Sequence, residues 1–212
     1  MNWPTFDLLL EGAGLTAAIS AISVTAGLLL GVLICAASLG RGRAGRAFAG
    51  FYVSFFRGVP LLVQLLLIYH VLPRFGVDLP GIAAAVLGLT LCTAAYQAEN
   101  LRGGFLNVPT GLVEAGRMVG MNARQIMVRI RAPIALRLTL PAVVNEAILI
   151  LKASSLVSVV GVADLTRTAQ NIASSTYRPL EAFATAGGLY LLLNLVVGGA
   201  GEAASRMLGR GR

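Results

Sequence analysis

Long apolar runs, separated by short polar or basic stretches, set the pattern of this chain. Residues 12–40 carry no charge, and apolar runs recur at 51–72, 79–104, 134–160 and 182–207. Each is long enough for the roughly 20 apolar residues that carry a helix across a bilayer. Apolar positions fill all sides of these runs, so a single amphipathic stripe does not describe them. The pattern predicts an all-α membrane protein with five transmembrane helices in one domain spanning residues 1–212. Ionisable residues interrupt the runs at Arg57, Glu99, Glu146 and Lys152.

Composition supports this reading. Hydrophobic residues make up 57% of the chain and charged residues 12%, with mean hydropathy +0.80. A soluble domain of this size lacks the polar surface to hide so much apolar area. The net charge of +8 comes almost wholly from arginine. The arginines sit beside apolar runs and do not interleave with aromatics, so nucleic acid is not an expected partner and membrane lipid is.

Charge also orients the chain. With the segment at Arg41, Arg43 and Arg46 inside, Arg57, Arg102, the five arginines from Arg117 to Arg137, and Arg206, Arg210 and Arg212 are also inside. Only Arg74, Arg167 and Arg178 then lie outside, and Lys152 lies within a span. The positive-inside rule therefore predicts the N-terminus out and the C-terminus in. The first 15 residues hold Asp7 and Glu11 but no basic residue. They lack the start of a secretory signal, so the first run is expected to stay in the mature protein. Cys35 and Cys92 lie in apolar runs without ligand-type neighbours and read as small apolar filler.

The segment 107–133 departs from the apolar pattern. Pro109 and Gly111 predict a turn, and Val113–Val119 a short helix with Glu114 near its positive end. Gly120 can end that helix in a left-handed cap, and Asn122 can start the next. Pro133 is expected to restart the chain towards the membrane. Two uses remain open on these grounds: an amphipathic connector on lipid headgroups, or a docking element for a soluble partner.

The same segment resembles the coupling loop of bacterial ABC-importer permeases. The family pattern is Glu-Ala-Ala, three residues, Gly, nine residues, then Ile-x-Leu-Pro. Glu114, Ala115, Gly120, Ile130 and Pro133 match it; Gly116 and Ala132 depart from it. Gly116 is expected to weaken the first short helix by about 1 kcal/mol relative to Ala. Further segments resemble the polar amino acid branch (histidine, glutamine, glutamate and opine permeases). They are Phe55-Phe56-Arg57-Gly58-Val59-Pro60-Leu61-Leu62-Val63-Gln64, Ala95-Tyr96-Gln97-Ala98-Glu99 with Arg102-Gly103-Gly104, and Leu151-Lys152-Ala153-Ser154-Ser155-Leu156. In the last, Ala153 stands where the family often has Asp.

The resemblance implies a type I ABC importer permease fold in a bacterial cytoplasmic (inner) membrane, with a cytoplasmic coupling helix between spans 3 and 4. It implies a second permease subunit (the same chain or a paralogue), two ATP-binding subunits, and a periplasmic or surface substrate-binding protein. Glu114, Ala115, Gly116, Arg117, Gly120, Met121 and Arg124 would meet the ATPase. No cofactor is expected in this chain; ATP and magnesium belong to the partner. The single lysine, Lys152, has no phosphate-cradling glycine loop before it.

Polar residues within spans suggest a substrate path: Gln64, Tyr96, Glu99, Asn145, Glu146 and Lys152. A zwitterionic amino acid needs partners for both its ammonium and its carboxylate. The plainer use of these groups is to fasten helix to helix. Glu146 and Lys152 are about 240° apart around a helix and are not expected to pair. An ATP-independent secondary transporter is the alternative, although five spans do not divide into equal inverted halves. An intramembrane hydrolase would need a nucleophile beside a base, and the only histidine is His70.

Overall fold

The computed structural model describes residues 3–209, and every regular element among them is helical. Arg210 and Arg212, counted above as inner basic residues, lie outside that range. The order is α1 (Trp3–Leu39), α2 (Arg43–Gly58), α3 (Leu61–Val71), α4 (Gly81–Leu106), α5 (Thr110–Met118), α6 (Ala123–Ile126), α7 (Ala132–Ala153), α8 (Leu165–Thr176) and α9 (Pro179–Gly209). Four helices, at 5–39, 81–106, 123–160 and 179–207, are long and apolar enough to cross a membrane. A fifth crossing results if the bent pair α2–α3 is one span.

The first helix begins nine residues before the predicted start of the first span. Pro4 suits a first helical turn, and Asp7 and Glu11 stay exposed. Its apolar span, 5–39, is 35 residues and measures about 52 Å against a hydrocarbon core of about 30 Å, so its excess extends past the core or is taken up by tilt.

Helices α1 and α4 form the centre of the molecule. A Cβ at Gly27 would lie 2.6 Å from Thr93 Cβ, and one at Gly31 would lie 2.9 Å from Gln97 Cβ. Small residues thus bring the two backbones together, as close helix contacts in lipid require. The same device joins α4 to α7. A Cβ at Gly104 would overlap the Thr139 methyl and stand 2.8 Å from the Ala135 carbonyl oxygen. Gly104→Leu is expected to cost about 3 kcal/mol or more, read as loss of monodisperse permease after detergent extraction. A variant as stable as the parent would show that α4 and α7 can separate freely.

The second predicted span, 51–72, is not one helix. Helix α2 begins at Arg43, and a 103° bend separates it from α3. Pro60 is the cause. It disfavours helical backbone at Val59, which is extended at φ −92° and ψ 133°. Pro60 itself then sits just before α3 (φ −57°, ψ 136°).

Pro133 stands in the first turn of α7, as expected, but no break precedes it. The helix runs through it, from Ala123 to Val160, by way of a wide π turn at Met127–Arg131. That turn re-registers the backbone just before Pro133, whose missing N–H then interrupts nothing. Between 154 and 160 the helix tightens to 3₁₀ geometry and stops at Gly161 (φ +80°).

The predicted outer loop, 161–181, contains α8. Leu165, Ala169 and Ile172 pack on Leu9 and Ala13 of α1 and on Ala182 and Ala186 of α9. Asp164, one of the charged residues of that loop, is fully buried. It accepts from the Arg167 and Thr166 backbone N–H groups at 3.0 and 3.1 Å, and from Tyr190 Oη at 3.3 Å. The Leu165 N–H donates to Thr16 Oγ1 at 3.1 Å, which ties α8 to α1.

Burial pushes the Asp164 carboxyl above its ordinary range, against the pull of its hydrogen bonds. The folded state therefore holds the proton more tightly than the unfolded chain. Stability from this group is fully present below the unfolded value, about pH 4, and falls as pH rises through the folded value. Asp164→Asn is expected to flatten that slope in a thermal-melt series and to cost about 1 kcal/mol at acid pH for the weakened cap. An unchanged slope would show that the carboxyl titrates alike in both states.

Candidate functional site

The segment between α4 and α7 builds a projecting element. Helix α5 starts at Thr110, behind Pro109, rather than at Val113. It persists across Gly116 despite that residue's poor helix propensity. Gly116 is buried, and a Cβ there would lie 2.8 Å from Ile130 Cδ1, so its small size lets α5 sit on the π turn. Gly120 ends α5 in the left-handed region at φ +80°. Its N–H donates to the Arg117 carbonyl at 3.0 Å, and the Met121 N–H donates to the Gly116 carbonyl at 3.0 Å.

Asn122 then starts α6 with a reciprocal cap. Its side chain accepts from the Gln125 N–H at 2.9 Å, and the Gln125 side chain accepts from the Asn122 N–H at 2.8 Å. This is the capping-box arrangement.

Ala115, Gly116 and Met121 line one cleft with Leu112, Val119, Arg129, Ile130 and Ile134. Glu114, Arg117, Gly120 and Arg124 are exposed around it. Met118 and Val119, which the sequence reading did not single out, are 89% and 78% exposed. An apolar tip ringed by charge is built for contact with another surface.

The candidate path residues do not form one group. Gln64 is buried, and its Nε2 donates to the Phe56 carbonyl at 2.9 Å and to the Val59 carbonyl at 2.7 Å. It closes the α2–α3 break, because those carbonyls belong to the helix end that Pro60 leaves without partners. Tyr96 and Glu99 come together on α4. Glu99 binds Arg102 through both oxygens at 2.8 Å, and Arg57 stands 3.8 Å from Glu99 Oε2. The Arg57 guanidinium lies 5.2 Å above the Tyr96 ring, within cation–π range.

Glu146 is 5% exposed on α7, with no hydrogen bond or ion pair among the described residues. Asn145 faces elsewhere, into a groove between α7 and α9 lined by Pro141, Ile148, Gly198, Gly201 and Arg206. Lys152 is exposed near the end of α7. In the sequence Arg57 stands out only as a charge that interrupts the second apolar run and counts among the inner basic residues. Its place between Tyr96 and Glu99 arises from the bend, which no periodicity reveals.

Comparison with known proteins supplies the context. Residues 23–208 match the family of binding-protein-dependent transport system inner membrane components. The octopine transport system permease protein OccM of Rhizobium meliloti is 39% identical over 92% of this chain and 83% of its own length. The arginine transport system permease protein ArtQ of Bacillus subtilis is 35% identical over 97% of this chain and 94% of its own. The glutamine transport system permease protein GlnP of Escherichia coli strain K12 is 36% identical over 92% and 90%.

Among solved structures, an amino acid ABC transporter crystallised with histidines has a TM-score of 0.90 and 37% identity, over 95% of this chain and 94% of that one. The inward-facing MetNI methionine ABC transporter shares the fold, with a TM-score of 0.83 at 24% identity over 98% and 99%. These relatives are permease subunits of ABC amino acid importers, which does not favour an ATP-independent transporter. In such systems ATP is hydrolysed by a separate nucleotide-binding subunit, and a substrate-binding protein works with the permease. On the match over residues 23–208 and the identity to relatives along nearly the whole chain, this protein belongs to the binding-protein-dependent transport system inner membrane components.

Proposed function

We propose that this chain forms half of the translocation path of an ATP-driven importer for a polar amino acid or an amino-acid-derived opine. The observation that carries this reading is the projecting α5–Gly120–α6 element with its uncovered Met118 and Val119. One of two ATP-binding subunits docks there from the cytoplasm, with Glu114, Ala115, Gly116, Arg117, Gly120, Met121 and Arg124 at the contact; the other docks on the second permease subunit. ATP and magnesium are held by those subunits. A second permease subunit, a copy or a paralogue, completes the path, and a periplasmic or surface binding protein delivers the substrate.

In this reading α2–α3 counts as one span, giving five, with the N-terminus out and the C-terminus in. Tyr96, Glu99 and Glu146 serve the path; Gln64 shapes it from behind. Asn145 and Lys152 stand apart from them on the isolated chain and reach cargo only if the partner permease closes around them. The domain is single, 1–212, with the coupling loop at 107–133.

The test is ATPase activity of the assembled complex in lipid nanodiscs, with the binding protein and the twenty amino acids, octopine and nopaline in turn. Stimulation by one loaded binding protein is expected. If no ATPase subunit co-purifies with this chain, the assignment fails.

A further inference from the structure

A second polar pocket lies between α1, α2 and α4, on the side where α1 ends and α2 begins. It encloses about 390 Å³ and is lined by Arg46, Arg57, Arg102, Glu99, Ser38 and Ser54 over walls of small apolar residues. Arg46, Gly50, Ser54 and Arg57 follow one another at steps of four, four and three, so one face of α2 carries them all. The opposite face carries Phe48, Phe51 and Phe55, exposed by 61%, 72% and 39%.

The charges in this pocket do not balance. Three guanidinium groups meet one carboxylate, which leaves two positive charges in excess. Glu99 is committed to Arg102 through both oxygens. Arg57, at 3.8 Å from the nearer oxygen, is beyond hydrogen-bond reach of it. Arg46 spends one N–H on the Gly40 carbonyl at 3.3 Å. The Arg57 and Arg102 side chains are 44% and 39% exposed, so their remaining donors are open to a ligand.

An excess guanidinium within a membrane helix is costly unless an anion accompanies it. The Ser54 hydroxyl beside it adds a donor of the kind that phosphate oxygens accept. Basic pockets between helices at the cytoplasmic leaflet are a recognised form of lipid headgroup site.

We propose that this pocket is an oxyanion site, filled in the membrane by the phosphodiester head of an anionic phospholipid. Arg57 and Arg46 supply the charge and Ser54 a hydroxyl donor, while Ser38, whose hydroxyl donates to the Cys35 carbonyl at 2.8 Å, forms part of the wall. Arg102 stays engaged with Glu99 and fixes the floor. The lipid's seat bridges the ends of α1 and α2, so it steadies the bend that places Arg57 over Tyr96. The inference rests on the proposed orientation, which puts these arginines at the cytoplasmic leaflet.

The test uses the full complex in nanodiscs of phosphatidylcholine with a tenth of phosphatidylglycerol as probe, read by native mass spectrometry. The parent is expected to retain about one phosphatidylglycerol per permease chain. Arg57→Gln and Arg46→Gln are each expected to weaken retention about tenfold, the loss of one charged contact. Ser54→Phe, which fills the pocket without altering charge, does the same, and Arg57→Lys restores most of it. Arg167→Gln, on α8, leaves retention unchanged.

A parallel arm adds inorganic phosphate to pure phosphatidylcholine discs. Phosphate that occupies the site there and displaces phosphatidylglycerol keeps the oxyanion assignment and moves its source to solution. Equal phosphatidylglycerol retention in all variants, with no phosphate bound, overturns the proposal. If ATPase stimulation by the loaded binding protein survives in that case, the transport reading stands without this site. Loss of the stimulation in the parent complex would instead sink the transport reading.

Discussion

Gln64→Leu is expected to collapse the second span. The substitution makes the side chain apolar at similar size, so it opens no large cavity. What it removes is the donor pair at Nε2, which serves the Phe56 and Val59 carbonyls at 2.9 and 2.7 Å. Those carbonyls end α2 at a bend that Pro60 enforces, and the one other side-chain donor at them among the described residues is the weak Cys92 thiol, 3.9 Å from the Phe56 carbonyl. A buried carbonyl without a partner costs about 1–3 kcal/mol, and more where lipid rather than water is the alternative. Two such groups amount to roughly 2–6 kcal/mol, a large part of the stability of a chain this size.

The measurement is the thermal midpoint and monodisperse yield of the purified permease. A drop of many degrees or failure to assemble is expected. Gln64→Glu serves as the control: it keeps the shape but loses the amide donors, and should fall almost as far as Leu. A midpoint unchanged in both would mean that Pro60 and Gly58 hold the bend unaided. The sequence reading placed Gln64 along a substrate path because it is a polar residue in an apolar run. Its geometry gives a different reason for the same residue: its amide serves two carbonyls of the broken helix end, where the Cys92 thiol reaches only the Phe56 carbonyl, at 3.9 Å.

This contrast recurs along the chain. Four apolar runs became long helices because run length and lack of charge report burial in lipid directly. The turn between the two short helices at 110–126 was equally legible. Asn122, Gly120 and Pro109 act locally, so the Asn122 side chain caps α6 and Gly120 takes φ +80° as their chemistry requires. The failures occurred where two effects compete. Pro60 and Pro133 are both prolines in apolar stretches, yet one bends the chain by 103° and the other leaves the helix intact. The difference lies in what stands before them: an extended Val59 after Gly58, against a π turn that absorbs the missing bond.

Tertiary placement was the least legible. Asp164 reads as a charged loop residue, but the apolar side of α8 drags it inside, and the helix it caps satisfies it. Arg57 reads as a lone charge interrupting an apolar run, but the fold sets it over Tyr96 and beside Glu99. Asn145 and Glu146 are neighbours in sequence, yet one is exposed to a groove at α9 and the other is buried. A helix separates adjacent residues by about 100°, so a shared role cannot be read from proximity along the chain.

Gly120→Val is expected to disconnect ATP hydrolysis from transport. At φ +80° a β-branched residue is strained, since its Cβ crowds the backbone. The penalty is about 1–2 kcal/mol for an ordinary L-residue and higher for valine. The α5 end relieves it by unwinding, which breaks the bonds from Gly120 N–H to the Arg117 carbonyl and from Met121 N–H to the Gly116 carbonyl. Met118 and Val119 then lose their fixed position at the tip, while the membrane helices, which share none of these bonds, remain folded. Cargo uptake into proteoliposomes should fall at least about tenfold, because 1.4 kcal/mol of lost docking energy already has that effect. Basal hydrolysis by the ATP-binding subunits should persist, without stimulation by the loaded binding protein. Gly120→Asn tests the cause: asparagine tolerates the left-handed region, so it should keep most of the coupling. Were valine and asparagine to lose coupling equally, the cause would be a side chain clashing with the docked subunit rather than backbone strain. Full coupling in the valine variant would remove this element from the contact altogether, and the exposed Met118 and Val119 would then be a surface for lipid headgroups.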